Sequence, residues 1–324
     1  MDIVIIGAGA MGCLFGAQLA LYAKVSLYCR QERIARLLRT RGILVQAMDG
    51  TKYQQPVQTI SKLDTAPRHS FDYAIICTKA HASSEAGVLA QALLRRDGQA
   101  LTLQNGLGNR ELLGEHLGKE RVMVGITAQA ATLLDAGEVR HTGAGQTFIA
   151  PYDSLQRRHS LVLAAFFNEA GIETMVEDNP ESLIWSKLIV NAGINALAGI
   201  LRVPNGALAA DPASRAIMAQ AVAEAVQVAQ ALNIELLYDK PFEHVLEVCA
   251  QTAANRASTL QDILRQTSTE VEVINGAIAR LGEFHQVPTP VNTMLTQLIQ
   301  ALEATAKQRV GCTAYTPKGE NHAG

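Results

Sequence analysis

Ile3-Val4-Ile5-Ile6, running straight into Gly7-Ala8-Gly9-Ala10-Met11-Gly12, constrains this chain more than any other stretch. Four apolar, largely β-branched residues read as a buried parallel strand. The glycines follow at G-x-G-x-x-G spacing and open a helix expected to reach about Ala23. The spacing alone is a weak signal, and a Gly-rich turn without a ligand is its alternative. Between a strand and a helix it fits the first turn of a doubly wound, dinucleotide-binding domain. There Gly7 permits the tight turn, Gly9 lets a pyrophosphate approach the backbone, and Gly12 lets helix and strand close up.

The next strand, Val25–Cys29, ends where an adenosine ribose would lie, a position that usually carries Asp or Glu when NAD binds. Here it is Arg30, which can pair a 2′-phosphate, so NADPH is favoured over NADH; a solvated helix start beside Glu32 is the other reading. Hairpin-like strands are expected at Ile43–Ala47 and Thr51–Val57, and buried strands at Asp72–Cys77 and Ala100–Leu103. The last two end in Thr78-Lys79 and Gln104-Asn105-Gly106-Leu107-Gly108, polar turns at the edge where open α/β sheets bind ligands. Further strands at Val122–Thr127, Glu138–His141, Thr147–Ile149 and Glu173–Val176 complete a domain over residues 1–178.

Asp178-Asn179-Pro180 marks the boundary. Asn179 suits a helix N-cap, Pro180 suits N1 and Glu181 complements the positive end. The helix that follows is apolar nearly all round, yet Lys187, Asn191 and Asn195 recur at i, i+4 and i+8. At about 100° per residue they form one polar stripe on a buried rod. Such a stripe is either a satisfied structural network or a functional site. Beyond it Ala-rich helical periodicity is read at Ala213–Leu232, Pro241–Thr252, Ser258–Gln266, Thr269–His285 and Pro290–Lys307, with a turn at Pro204-Asn205-Gly206. A helical substrate domain over 179–308 is expected, and 309–324 reads as a polar, disordered tail.

Lys and Arg number 28 against 30 Asp and Glu, which gives no basic excess for nucleic acid or an anionic membrane. No uninterrupted apolar run reads as a bilayer span, and the opening strand leaves no room for a signal peptide. The five cysteines are scattered, without C-x-x-C or metal spacing, so a reduced cytoplasmic setting and no metal are expected. Cys77 is read as packing.

Gly7-x-Gly9-x-x-Gly12, Cys77-Thr78-Lys79-Ala80, Asn105-Gly106-x-Gly108, Trp185-x-Lys187-x-x-x-Asn191-x-x-x-Asn195, Pro204-Asn205-Gly206, Asn255-x-x-Ser258-x-Leu260-Gln261-Asp262 and Thr269-Glu270-x-x-x-Ile274-Asn275-Gly276 together resemble the ketopantoate reductase family over residues 1 to about 307. The resemblance implies NADPH-dependent reduction of 2-dehydropantoate to pantoate, in a cleft between a Rossmann-type domain and an all-helical one. It implies Lys187 as general acid, supported by Glu270, which also lies at the cofactor. Asn191, Asn195 and Asn205 would hydrogen-bond the substrate and Ser258 its carboxylate. Asn105 would stand beside nicotinamide and substrate alike. Lys79, with Gly7 to Gly12 and Arg30, would hold the cofactor. The expected partner is a small 2-oxo acid rather than nucleic acid or membrane, with a homodimer as the assembly. One departure is Ala257-Ser258, where the family often pairs two serines; the lost hydroxyl would loosen selectivity. Each residue has a plainer reading: Asn191 and Asn195 as helix cross-links, Ser258 as an N-cap, Glu270 as a dipole partner. Two alternatives stay open, a reductase of another 2-oxo acid and a non-catalytic NADP(H) sensor.

Overall fold

The computed structural model describes residues 1–308; the tail expected at 309–324 lies outside the described residues. The chain lays down β1 (Asp2–Ile6), α1 (Ala10–Leu19), β2 (Lys24–Tyr28), α2 (Glu32–Arg41), β3 (Ile43–Gln46), β4 (Lys52–Gln55), β5 (Gln58–Ile60), β6 (Phe71–Ile76), α3 (Ser83–Leu93) and β7 (Leu94–Thr102). Next come α4 (Asn109–Leu117), β8 (Val122–Thr127), β9 (Ala130–Asp135), β10 (Glu138–Gly143), β11 (Thr147–Ala150), α5 (Ser154–Glu169) and β12 (Thr174–Val176). Eight strands form one sheet in the order β12-β11-β8-β7-β6-β1-β2-β5. From β8 to β5 the pairing is parallel, whereas β11 runs antiparallel to β8. Ile3 to Ile6 of β1 are fully buried because helices cover both faces. The α1 and α5 side closes with Phe15 against Phe167, ring centroids 5.6 Å apart. The α3 and α4 side closes on Val4, Ile6, Ala74 and Val122.

The expected hairpin at residues 43–57 is present, β3 pairing with β4, but it belongs to a second, four-stranded sheet. In that sheet β3 pairs parallel with β10, and β9, unforeseen in the sequence, pairs antiparallel with it. Strand Glu138–His141 therefore lies outside the main sheet, and α1 ends at Leu19, before the expected Ala23.

The helical half comprises α6 (Pro180–Leu201), α7 (Asn205–Ala210), α8 (Pro212–Ala231), α9 (Pro241–Gln251), α10 (Ser258–Leu264), α11 (Asn275–Phe284) and α12 (Pro290–Ala304). Asn179 caps α6, its side chain accepting from the Ser182 N–H at 3.1 Å, with Pro180 behind it. Trp185, Leu188, Ile189 and Ala192 of α6 are buried in a core shared with α8, α9, α11 and α12. By length and apolarity α6 could cross a bilayer, contrary to the sequence expectation, but 72% of its most apolar stretch is buried in the protein. Its apolarity is that of a core helix.

Two expected elements differ. Pro204-Asn205-Gly206 opens α7 rather than a turn, because the Asn205 and Gly206 N–H groups donate to Asn255 O (3.0 Å) and Ala253 O (3.1 Å). The helix expected over Thr269–His285 is a short 3-10 turn at Val271–Val273, then α11. The Val273 carbonyl accepts the Leu107 N–H at 2.9 Å, and Ile274 (φ −108°, ψ −94°) leaves helical geometry. The loop after β7 thus breaks the helix beside Glu270.

Candidate active site

At the head of α1, Gly7 sits at φ +115°, and a Cβ there would lie 2.8 Å from the Cys77 carbonyl carbon and the Thr78 nitrogen. A Cβ on Gly12 would meet the Gly7 carbonyl oxygen. These two glycines are fixed by close packing of strand and helix. Gly9 differs: a Cβ there would meet nothing within 4 Å, and Gly9 caps α1 without a side-chain bond. Gly9 is exposed, Ala8, Ala10 and Met11 are partly buried, and the first-turn N–H groups of α1 have no acceptor within the helix. Such a cradle fits a phosphate, which the helix dipole favours. Arg30 stands beyond β2, its side chain 76% exposed and 3.9 Å from Glu85.

Across the strand ends, Lys79 donates to Asp262 of α10 at 2.7 Å and lies 3.7 Å from Glu270. Glu270 is buried and also accepts from the Ala80 N–H (3.1 Å) and Asn105 Nδ2 (3.1 Å). The carboxylate from the helical half is therefore bound by groups at the ends of both β6 and β7. Burial pulls the Lys79 pKa down, but Glu270 and Asp262 outweigh it and the net shift is upward. Burial raises the Asp262 carboxyl, with Lys79 opposing and Glu270 adding to it.

Lys187 projects from α6 and donates to the Thr127 carbonyl at 3.0 Å. The sequence left open whether burial or a nearby carboxylate governs this lysine. Burial wins: it lowers the pKa to about 8 although the Glu270 charge pulls upward. Asn105, Lys187 and Asn191 line one cavity of about 480 Å³ between the two halves of the chain. Two turns beyond Lys187, Asn195 donates to the Ser258 hydroxyl at 3.4 Å. Ser258 is the first residue of α10 and Ala257 its N-cap, without a side-chain bond, so Ser258 is not spent on capping. Asn205 donates to Thr252 Oγ1 at 2.9 Å, and its own Oδ1 is buried without a partner.

The structure thus joins Lys79, Asn105 and Glu270 by direct bonds, sets Lys187 within the field of Glu270, and pairs Asn195 with Ser258. Asn205 is bonded to Thr252, not to another of the expected residues, and Arg30 stands apart at the sheet edge. Cys77 is a packing residue whose thiol burial pushes up to about 12.

Three contributors were given no role of their own in the sequence reading, although Asp262 and Gln104 stand in the motifs quoted there. Asp262, four residues after Ser258 on one helix, had a signal in that spacing. Gln104 sends Nε2 to Thr78 O (3.1 Å) and Ser83 Oγ (2.9 Å), tying the ends of β6 and β7 together. The acceptor for Lys187 is a backbone carbonyl, which no side chain advertises. Its loop is pinned by Gln129, which donates to Gly145 O at 2.8 Å and lies 2.8 Å from His141 Nε2.

The family model for ketopantoate reductase PanE/ApbA matches residues 3–154, and that for its C-terminal domain matches 179–303. A 2-dehydropantoate 2-reductase of Halobacterium salinarum is 34% identical over 303 residues, 93% of this chain and 98% of the relative. One of Vibrio cholerae is 32% identical over 94% of this chain and 98% of the relative. Among solved structures, D-mandelate dehydrogenase with NADH and anilino(oxo)acetate superposes with a TM-score of 0.89 at 27% identity, covering 95% of this chain and all of that one. A PanE/ApbA family ketopantoate reductase from Ralstonia eutropha gives 0.85 at 28% identity, again over 95% of this chain and all of that one. With both halves matched in order and nearly full-length relatives above 30% identity, the chain belongs to the ketopantoate reductase family of oxidoreductases.

Proposed function

We propose that the chain reduces 2-dehydropantoate to pantoate with NADPH, a step of pantothenate synthesis. The observation that carries the reading is Lys187, an amine on the cavity wall whose pKa of about 8 suits it to give up a proton near neutral pH. A nicotinamide cofactor, when bound, supplies the hydride for the carbonyl carbon. The Gly9 cradle and the first turn of α1 would hold its pyrophosphate, Arg30 its 2′-phosphate, and Lys79 would close over it. The D-mandelate dehydrogenases of this fold were solved with NADH; here the guanidinium after β2 favours the 2′-phosphate.

Lys187 stabilises the negative charge developing on the carbonyl oxygen and then donates its proton, leaving an alcohol and a neutral amine that regains a proton from water. The Thr127 carbonyl aims the ammonium. Glu270 orients Asn105 and keeps the lysine more basic than burial alone would leave it. Ser258, steadied by Asn195, receives the substrate carboxylate. Asn191 and Asn205 read the distal hydroxyl. For Asn205 the orientation is set: Thr252 Oγ1 donates to Val248 O at 2.6 Å, so it must accept from Nδ2, and Oδ1 is left as a buried acceptor. Such an orphan costs about 1–3 kcal/mol, which a substrate hydroxyl would recover. The four described cysteines are free, in keeping with a reducing cytoplasmic setting.

Steady-state NADPH oxidation with ketopantoate and with 2-oxoisovalerate, which lacks the hydroxyl, tests this. The expected preference in kcat/KM is at least about 10²-fold. Equal rates would discard ketopantoate and keep a 2-oxo acid reductase. Cofactor binding with no turnover of any 2-oxo acid would discard the enzyme in favour of the sensor.

A further inference from the structure

The β9–β10 hairpin leaves the main sheet through Ala128-Gln129 and returns through Ala144-Gly145-Gln146. The carbonyl that accepts from Lys187 lies where these two passages run side by side. There the Ala128 N–H donates to Gln146 O at 2.9 Å. The peptide joining Thr127 to Ala128 is trans, so its N–H and C=O point to opposite sides. Fastened through the N–H to the returning passage, it turns the Thr127 carbonyl the other way, to the Lys187 ammonium at 3.0 Å. Gly145 permits the approach, since a Cβ there would lie 2.5 Å from Ala128 Cβ.

Gln129 locks this arrangement. Its N–H donates to Thr127 Oγ1 (3.1 Å), its Nε2 donates to Gly145 O (2.8 Å), and its Oε1 faces His141 Nε2 at 2.8 Å. That ring nitrogen also lies 3.0 Å from Gly143 O, which can only accept, so it carries the proton. The buried Gln129 amide is therefore oriented from both ends. His141 reaches it from β10, where Thr142 is an extra residue opposite the Ala130–Ala131 step of β9. Such a bulge re-aims a side chain. A lysine has three donors on a flexible stem, and tying one to an immobile carbonyl limits its swing while leaving the others for the reacting oxygen. We propose that Gln129, braced by His141, is a positioning residue for the reduction: it holds the Thr127 carbonyl, and through it Lys187, in line with the substrate carbonyl. The proposal rests on the reading of Lys187 as the acid.

The test compares Gln129→Leu with the wild type, both full-length, using NADPH and ketopantoate or, if that is inactive, 2-oxoisovalerate. Expected is a fall in kcat of about 10–10²-fold, with KM for the 2-oxo acid and NADPH affinity within about threefold of the wild type. An ammonium whose acceptor is loosened is less favoured, so the descending limb of kcat/KM, near pH 8 in the wild type, should move to lower pH by about half a unit or more. Glu270, whose charge also acts on Lys187, is left in place. A second readout needs no turnover. Competitive acetylation of the cofactor-free protein with acetic anhydride across pH, read at Lys187 by mass spectrometry, should show the same downward shift. His141→Phe, which takes the donor from Gln129 Oε1, should reproduce both changes if Gln129→Leu folds poorly. The double variant should lose no more than the worse single one, because both act through one carbonyl. Folded variants with lower Tm but wild-type kcat and an unmoved limb would make Gln129 a structural residue and overturn the proposal. Unaltered turnover in Lys187→Ala, or no turnover of any 2-oxo acid by the wild type, removes the acid reading instead, and the positioning role with it.

Discussion

Lys187 shows how chemistry and stability pull against each other at one position. Its folded pKa of about 8 lies below the ordinary 10.5, so the unfolded chain holds more protons between those values. The penalty is therefore full below about pH 8 and is relieved as pH rises toward 10.5. Lys187→Met should raise Tm by a few degrees near neutral pH and by less near pH 10, measured by thermal unfolding; a lower Tm at both would mean that the Thr127 bond outweighs burial. Lys187→Ala should cut turnover by about 10²–10⁴-fold with NADPH affinity nearly unchanged, and unaltered turnover would end its role as acid. For the wild type, kcat/KM should fall as pH rises through about 8, as the amine loses its proton. Arg30→Ala should weaken NADPH about tenfold or more and NADH little; equal losses would remove the 2′-phosphate contact. The lysine, both carboxylate-site partners and the glycines were legible as side-chain types at set spacings. The Thr127 carbonyl and the sign of the lysine shift were not, because both depend on what folds over the residue.

The break between the turn at Val271–Val273 and α11 shows where periodicity stops informing. The stretch is helical in pattern, yet a single tertiary bond from Leu107 to Val273 O diverts it and leaves Glu270 aimed at the strand ends. The ends of α12 follow a similar rule. Thr289, its N-cap, makes no side-chain capping bond; Glu224, from the middle of α8, accepts from the Val291 N–H (2.8 Å), the Asn292 N–H (2.9 Å) and Asn292 Nδ2 (2.8 Å). Asn292 in turn accepts from Asn275, which also donates to Ala192 O of α6 at 3.0 Å. One buried carboxylate thus caps a helix and braces the helix that carries Lys187. Glu224→Ala should cost about 2–4 kcal/mol by denaturant unfolding, with Glu224→Gln recovering part of it. A change within about 0.5 kcal/mol would show that water replaces the cap. A glutamate inside an Ala-rich helix gives no hint of this, since its partners lie 67 and 68 positions away.

The two halves of the chain meet through charge as well as apolar packing, and that meeting crosses the cleft. Most strands of the main sheet, the glycine turn and the central helix were legible in sequence because each is local. The second sheet and the Lys79–Asp262 bridge were not, because they depend on segments brought together only by the complete fold. Lys79 belongs to the strand side and Asp262 to α10, and their 2.7 Å contact is shorter than the 3.7 Å from Lys79 to Glu270. Asp262 is therefore the principal anchor, and it leaves Glu270 to orient Ala80 and Asn105. If the bridge couples the halves, a double-mutant cycle of Lys79→Met and Asp262→Asn, read by chemical unfolding, should give a coupling of about 1 kcal/mol; the half-exposed lysine limits it through solvent screening. A coupling of zero would make the bridge incidental to the fold. Acid provides the second arm. Burial holds the Asp262 carboxyl above its ordinary 3.8, so it takes up a proton before an exposed carboxylate does. The coupling from the same cycle should accordingly be lost above pH 3.8, whereas an anchor through a normally acidic carboxylate would keep it to lower pH.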